Sequence, residues 1–462
     1  MSTDFIDIMK YNLSMKSPDQ KKIATEIFNA GLHSVDSYTA VSHHIDRIRT
    51  VFRDGKFNKL IVSGFGKAAC PMANSLADNM GDMIDAGILI TKYGHCNFLN
   101  TDQSLLTRHS SLKIIEAGHP VPDENGLRGA DDIIRLLNVA DEDTLIICLI
   151  SGGGSALLAS PYEGITFDEK QKITQLLLRA GADINELNCI RKHISKVKGG
   201  RLAEIAYPAH IISLILSDVI GDRLDVIASG PTAPDRTTYS EALDILEKYK
   251  LTGAAPKSVL EVFRKGVQGL IPDTPKEKGH IFRNVENIII GSNRIALEAA
   301  KKKAEALGLH TEIISSELTG EAKDVAQWLA AEAQKRRSAE VQNSRKRLCL
   351  ICGGETTVTV RGSGLGGRNT ELALAFSMAI AGIDGITLLS AGTDGTDGPT
   401  DAAGAVVDGD TIKKAKAAGI DPDVYLNNND SYNFFKKAEG LFITGPTGTN
   451  VMDLQIVILS PS

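Results

Sequence analysis

Six times along this chain a short, almost wholly apolar run stops at a glycine-rich turn: KLIVSGFG, TLIICLISGGGS, NIIIGSN, RLCLICGGE, GITLLSAGTDG and GLFITGPTG. Runs of this length without polar alternation read as strands buried on both faces, and glycine lets the chain turn sharply where each strand ends. Between them apolar residues recur at helical spacing, as in Ile23, Ile27 and Ala30, or Val41, Ile45, Ile48 and Val51. The pattern predicts an α/β protein, and in such sheets ligands collect outside the carboxyl ends of the strands. The 462 residues are enough for two or three domains with large cores.

Composition narrows the chemistry. The apolar (42%) and charged (23%) fractions are those of an ordinary globular protein. A formal charge of −6 and a pI near 6.0 offer no general attraction to nucleic acid or to an anionic membrane. No apolar run approaches ~20 residues and the N-terminus lacks a secretory pattern, so no membrane partner and a cytoplasmic location are expected. The six cysteines fall mostly inside apolar runs, where thiols pack as small hydrophobes, which argues for a reducing compartment. Cys349 and Cys352 have CxxC spacing but read as part of a buried strand, with no second pair to complete a zinc site.

Taken in order, the motifs are these. In KLIVSGFGKAAC, Gly64 and Gly66 form a strand-to-helix turn and Lys67 stands at the helix start, placed to neutralise phosphate charge. EAGHPVPDENG forces a loop around His119, with Asp123 and Glu124 capping a helix from near Asn125. In SGGGS, Ser151, Gly152, Gly153, Gly154 and Ser155 can form a nest of amides for phosphate or carboxylate oxygens; this is not the GxSxG elbow of a serine hydrolase. The segment from Arg191 to Arg201 is basic: Lys192 and Lys196 read as a solvated helix face, and the remaining cations as a cap for an anionic substrate. Asp218 follows an apolar strand and is a general base or metal ligand; Asp222 and Asp225 brace its loop. Residues 250–286 read as a linker, TTVTVR as a strand, and 332–347 as a solvated helix end or loop.

The densest stretch runs from Cys352 to Asp401. It holds Glu355, a loop with Gly364, Gly366 and Gly367 ahead of Arg368 and an apolar helix, and the loop GTDGTDG. Glycine amides there can cradle an anion, and Asp394, Asp397 and Asp401 suit oxygen-ligated Mg²⁺.

Together FGKAA, EAGHPVPDENG, SGGGSALL, RKHISKVKGGRLA, LSDVIGDRLDVIASGPT, GGETTVTVRGSGLGGRN, GTDGTDGPTDAAG and TGPTGTNVMDL resemble the glycerate 2-kinases with a MOFRL domain, over nearly the whole chain. The resemblance implies a Rossmann-like N-terminal α/β domain (1–280), a smaller C-terminal MOFRL α/β domain (281–462) and an active site in the cleft between them. It implies ATP- and Mg²⁺-dependent phosphorylation of D-glycerate to 2-phosphoglycerate, with Lys67, Asp218, Glu355, Arg368 and Asp394 as the matching functional residues. The chain departs from the family pattern at RNTE, where RNQE is usual, which bears on Thr370. Asp218, Asp394 and Asp397 are the metal candidates; the assignment of base and metal ligand between Asp218 and Asp394 stays open, as does the choice of substrate carboxylate or γ-phosphate for Arg368. Whether the chain is a monomer or a homodimer is also open.

The competing reading is an NAD(P)-dependent hydroxypyruvate reductase, because Gly362, Gly364 and Gly367 spell GxGxxG. A sugar-acid binding module and a phosphosugar isomerase are further alternatives. The isomerase gives no reason for two aspartate-rich loops.

Overall fold

The computed structural model describes residues 17–96, 111–338 and 347–460. The chain divides into two compact units, residues 37–290 and residues 1–36 with 291–462. The expectations for residues 1–16 and for half of 332–347 lie outside the described residues; the helix Ala322–Arg336 covers the start of the latter.

The unit formed by 37–290 is built on a six-stranded sheet: β1 (Lys59–Phe65), β2 (Ala86–Lys92), β3 (Leu112–Ala117), β4 (Thr144–Ile150), β5 (His210–Leu216) and β6 (Val285–Gly291), in the order β3-β2-β1-β4-β5-β6. β1 runs parallel to both β2 and β4, β2 to β3, and β4 to β5. This is the doubly wound dinucleotide-fold order, with its topological switch between β1 and β4. Alternate residues of each strand enter opposite cores: Val62, Leu145 and Ile147 join one, and Ile61, Ile146 and Cys148 the other. All seven residues of β4 are buried, as its unbroken apolar run requires.

A separate helical cluster holds Phe167–Ala180, Ile184–His193, Tyr239–Lys248 and Lys257–Val267 around Ile173, Leu187, Ile190, Leu246 and Phe263. The expected linker at 250–286 is therefore corrected. Its helix buries Val259, Leu260, Val262 and Phe263, and Thr274 donates to Asp235 at 2.9 Å.

The other unit has a mixed sheet of β7 (His310–Leu318), β8 (Leu348–Gly354), β9 (Ile386–Gly392), β10 (Gly404–Asp408), β11 (Leu441–Phe442) and β12 (Asp453–Leu459), ordered β11-β10-β9-β12-β8-β7. Only β7 and β8 are paired in parallel; β12 lies antiparallel between β8 and β9. One face packs on Ala322–Arg336 and Arg368–Ala379. The other packs on Asn293–Ala306 and on Ser17–Ser34, through Ile23, Ile27 and Phe28. Helix Ser17–Ser34 thus belongs with the C-terminal unit, where the expected division at 280/281 placed it with the N-terminal one. TTVTVR is not a strand; only an isolated bridge, Glu321 to Thr357, forms there.

Candidate active site

In the parallel-sheet unit the predicted residues converge at the switch point. The Lys67 amide donates to the Gly152 carbonyl at 2.9 Å, and the Ala68 amide to Ser151 Oγ at 3.0 Å, tying the turns after β1 and β4 together. Ser151 is thereby a structural tie. Gly66 has φ +131° and faces Ser151 Oγ at 2.1 Å from an added Cβ, so no side chain fits. Gly153 is left-handed at φ +82°, with His119 and Lys67 against it. Among the described residues the amides of Gly152 and Gly153 donate to no partner, whereas that of Gly154 is spent on Ser151. Gly64 is a packing glycine inside β1, against Leu89 and Leu149.

Asp218 follows β5, and its Oδ2 lies 2.4 Å from where a Cβ on Gly152 would stand. Burial raises its pKa, opposed by its own backbone amide and by the Lys67 charge. A carboxyl so placed is a stronger proton acceptor than an exposed one. Lys67 makes no hydrogen bond or ion pair with its side chain among the described residues. His119 is pushed down to about 4, chiefly by burial and then by Lys67, so it is neutral at pH 7. Asp123 caps the helix Glu124–Leu137 by accepting from the Gly126 amide, as expected.

The basic segment needs correction. Its helix ends at His193, and Lys192 is not on a solvated face: it is buried on Asp235 at 3.0 Å, with Asp225 at 3.7 Å. Asp225 also pairs with Arg223, so it braces the loop as expected.

In the mixed-sheet unit Arg368 opens a helix and donates Nε and Nη2 to the two oxygens of Asp453, at 2.6 and 2.9 Å. Its Nη1 donates to Glu355 at 2.7 Å. Burial works against the charge, but the Asp453 bonds outweigh it and hold the guanidinium firmly protonated. The edge that would have gripped an anion side-on is therefore occupied, and two of the five N–H groups are left. Asp394 accepts from the amide and hydroxyl of Thr396, both at 3.1 Å through Oδ1. Oδ1 of Asp394 and Oδ1 of Asp453 approach the same side of Gly392, at 3.3 and 3.4 Å from an added Cβ.

Asp397 does other work. It accepts the Asn369 and Thr370 amides at 2.9 and 2.8 Å and the Thr370 hydroxyl at 2.7 Å, which makes it the anion at the N-terminus of the helix Arg368–Ala379. Thr370, the departure from RNQE, completes this cap by accepting from the Gly367 amide at 3.0 Å. The glycine loop before Arg368 is also filled from within. Asn429 takes the Gly362 amide, Asn428 those of Ser363 and Gly364, and Asp430 that of Leu365. An added Cβ on Gly364 would meet Asp430 at 2.4 Å, on Gly366 Ser431 at 2.3 Å, and on Gly367 Asp397 at 2.4 Å. These glycines admit a neighbouring loop, so the expected anion cradle is absent at Gly364 and Gly367, and so is a GxGxxG seat for a dinucleotide pyrophosphate.

Among the described residues no group of three or more His, Cys, Asp or Glu could hold a metal ion. Cys349 and Cys352 enter the cores on opposite faces of the sheet, which rules out a shared ligand role. Burial pushes the Cys148 and Cys189 thiols up to about 12. Cys70 and Cys96 depart from expectation: Cys70, in the helix Ala69–Met80, and Cys96, beyond the end of β2, have Cα atoms 5.7 Å apart and are disulfide-bonded. No helix among the described residues is long and apolar enough to cross a membrane.

Residues 23–264 match a domain of unknown function, DUF4147, and residues 348–453 match the MOFRL family. Over 439 residues the chain is 43% identical to the D-glycerate 2-kinase of Thermotoga maritima, spanning 95% of this chain and 98% of that one. The chain belongs to the glycerate kinase family. It is also 40% identical over 452 residues to the glycerate 2-kinase of Pyrococcus horikoshii, spanning 96% and 99% of the two chains. The crystal structure of Thermotoga maritima glycerate kinase matches with a TM-score of 0.85 at 42% identity, over 96% of this chain and all of that one.

For this glycerate kinase family member, two residues escaped the sequence reading. Asp453 is the sole charge in DLQIVIL and is fully buried, a signal that a strand-completing tail conceals. Lys170 sits in EKQKITQ, where nothing separates it from solvated neighbours, yet it is only 8% exposed.

Proposed function

We propose that the chain transfers the γ-phosphoryl group of ATP to the 2-hydroxyl of D-glycerate, giving 2-phosphoglycerate and ADP. Among structural features, the tied turns after β1 and β4 support this best: two unspent amides, an unpaired lysine and a buried carboxyl meet at one point. Phosphoryl transfer asks for that set, since it needs positioning and charge more than covalent chemistry. The Gly152 and Gly153 amides receive anionic oxygens, Lys67 follows the charge on the transferred group, and Asp218 accepts the proton of the attacking hydroxyl.

Within the mixed-sheet unit Arg368 is a fixed cation, braced by Asp453 and Glu355. Its two remaining N–H groups donate to a substrate oxygen. Mg²⁺ would be held by Asp394, whose Oδ2 accepts no hydrogen bond among the described residues, or alternatively by Asp218. Bound there, it would neutralise the phosphate chain of ATP. Asp397, with its oxygens already accepting three bonds, is not proposed as a ligand.

The test is an ADP-release assay with D-glycerate, ATP and Mg²⁺, followed by enzymatic discrimination of 2- from 3-phosphoglycerate. Glycerate-dependent ADP with 2-phosphoglycerate as product is expected. ATP left unconsumed, or a 340 nm change with glycerate and a nicotinamide cofactor alone, would sink the proposal.

A further inference from the structure

A cavity of about 350 Å³ opens in the parallel-sheet unit beside the SGGGS turn. Its walls are largely apolar, with Pro120, Val121, Phe167 and Leu178, but it is also lined by the cations Lys170, Arg191 and Lys198 and by no aspartate or glutamate. Lys170 and Lys198 are 8% and 1% exposed. Among the described residues their ammonium groups donate only to neutral oxygens: Lys198 to the Ser155 carbonyl at 2.7 Å, its hydroxyl at 3.0 Å and the Ala228 carbonyl at 3.5 Å, Lys170 to the Ser160 carbonyl at 3.2 Å. The Arg191 guanidinium has no hydrogen bond or ion pair among the described residues. Buried positive charge without a counter-charge is strongly disfavoured unless an anion completes the site.

We propose that this cavity binds the acceptor acid, its carboxylate on Arg191, Lys170 and Lys198 and its hydroxyl toward Lys67 and the Gly152–Gly153 turn. The geometry joins the two ends: Ser155 holds Lys198, and Gly153 lies against both His119 and Lys67. A metal-free carboxylate suits the lining better than a metal-bound nucleotide, because Mg²⁺ needs oxygen ligands and the cavity has no carboxylate to give. Neutral His119 can hydrogen-bond an acceptor hydroxyl. The proposal rests on the kinase reading and adds where the acid binds.

The experiment compares the full-length chain with Arg191→Met. Loss of a charge-assisted bond should raise KM for D-glycerate roughly 10- to 100-fold, with KM for ATP within about twofold and Arg191→Lys partly restoring it. The melting temperature should not fall, since a half-buried cation with no partner among the described residues is removed; Lys170→Met gives the same comparison should Arg191→Met fail to fold. A rise in KM for ATP with KM for D-glycerate unchanged, or no change in either, overturns the assignment. If the wild type consumes no ATP with D-glycerate, the kinase reading fails first. Calorimetry with D-glycerate alone then decides the cavity: binding abolished by Arg191→Met upholds it, and no binding overturns it.

Discussion

SGGGS at 151–155 and GSGLGG at 362–367 look interchangeable on paper, since each is glycine-dense and leads into a helix. In the folded chain they do opposite things. The first leaves the Gly152 and Gly153 amides unspent, beside Lys67 and Asp218. The second has the amides of Gly362, Ser363, Gly364, Leu365 and Gly367 taken by Asn428, Asn429, Asp430 and Thr370, with that of Gly366 alone unspent among the described residues, and its glycines let the loop around 428–431 approach. A glycine-rich turn binds anions only if nothing in the protein reaches its N–H groups first, and that is decided by residues more than sixty positions away.

The contrast can be broken most sharply at its cation. Lys67→Ala should lower ATP-dependent turnover about a thousandfold, with circular dichroism unchanged. A wild-type rate would remove the first turn from the chemistry.

A pair of glycine substitutions sharpens the comparison. Gly152→Ala pushes into Asp218 and should cut turnover roughly 100-fold by misplacing it. Gly364→Ala collides with Asp430 and should cost about 1–3 kcal/mol of stability in denaturant melts, with turnover per folded molecule nearly kept. Reversal of the two outcomes would mean the roles of the loops have been exchanged.

The smallest effect concerns the cavity beside the first turn. Burial, and then the charge of Arg191, holds Lys170 down to about 7 from 10.5; Lys198 and His119 are the other titratable groups lining that cavity. Between those values the unfolded chain binds more protons, so the native state gains stability as pH rises through the interval. Lys170→Met should therefore melt about 2–4 °C higher than the wild type at pH 6, and the gain should fade toward pH 10. A constant difference across pH would show that Lys170 is charged and compensated.

Much of the fold was legible because burial writes itself plainly. β1 and β4 fall where apolar runs stand, and Lys67, the SGGGS turn and Asp218 lie at the carboxyl ends of β1, β4 and β5. The misses share one cause, which is that a polar residue's partner is distant in sequence. Asp397 looks like a metal ligand until Asn369 and Thr370 are seen donating to it. Lys192 looks solvated until Asp235 is beneath it, and Asp453 looks incidental until Arg368 clasps it. Residues 257–274 lack a long apolar period because their helix buries a single face against three others, which reads as a linker when taken alone.

The packing of Ser17–Ser34 onto the sheet of β7 to β12 makes residues 37–290 an insertion within the other unit. During synthesis the helix Ser17–Ser34 must wait until β7 to β12 have been made. The central strand β12, between β9 and β8, emerges last. The parallel-sheet unit has its whole sequence available long before then, so it is free to fold as a finished body while the helix Ser17–Ser34 is still unmatched.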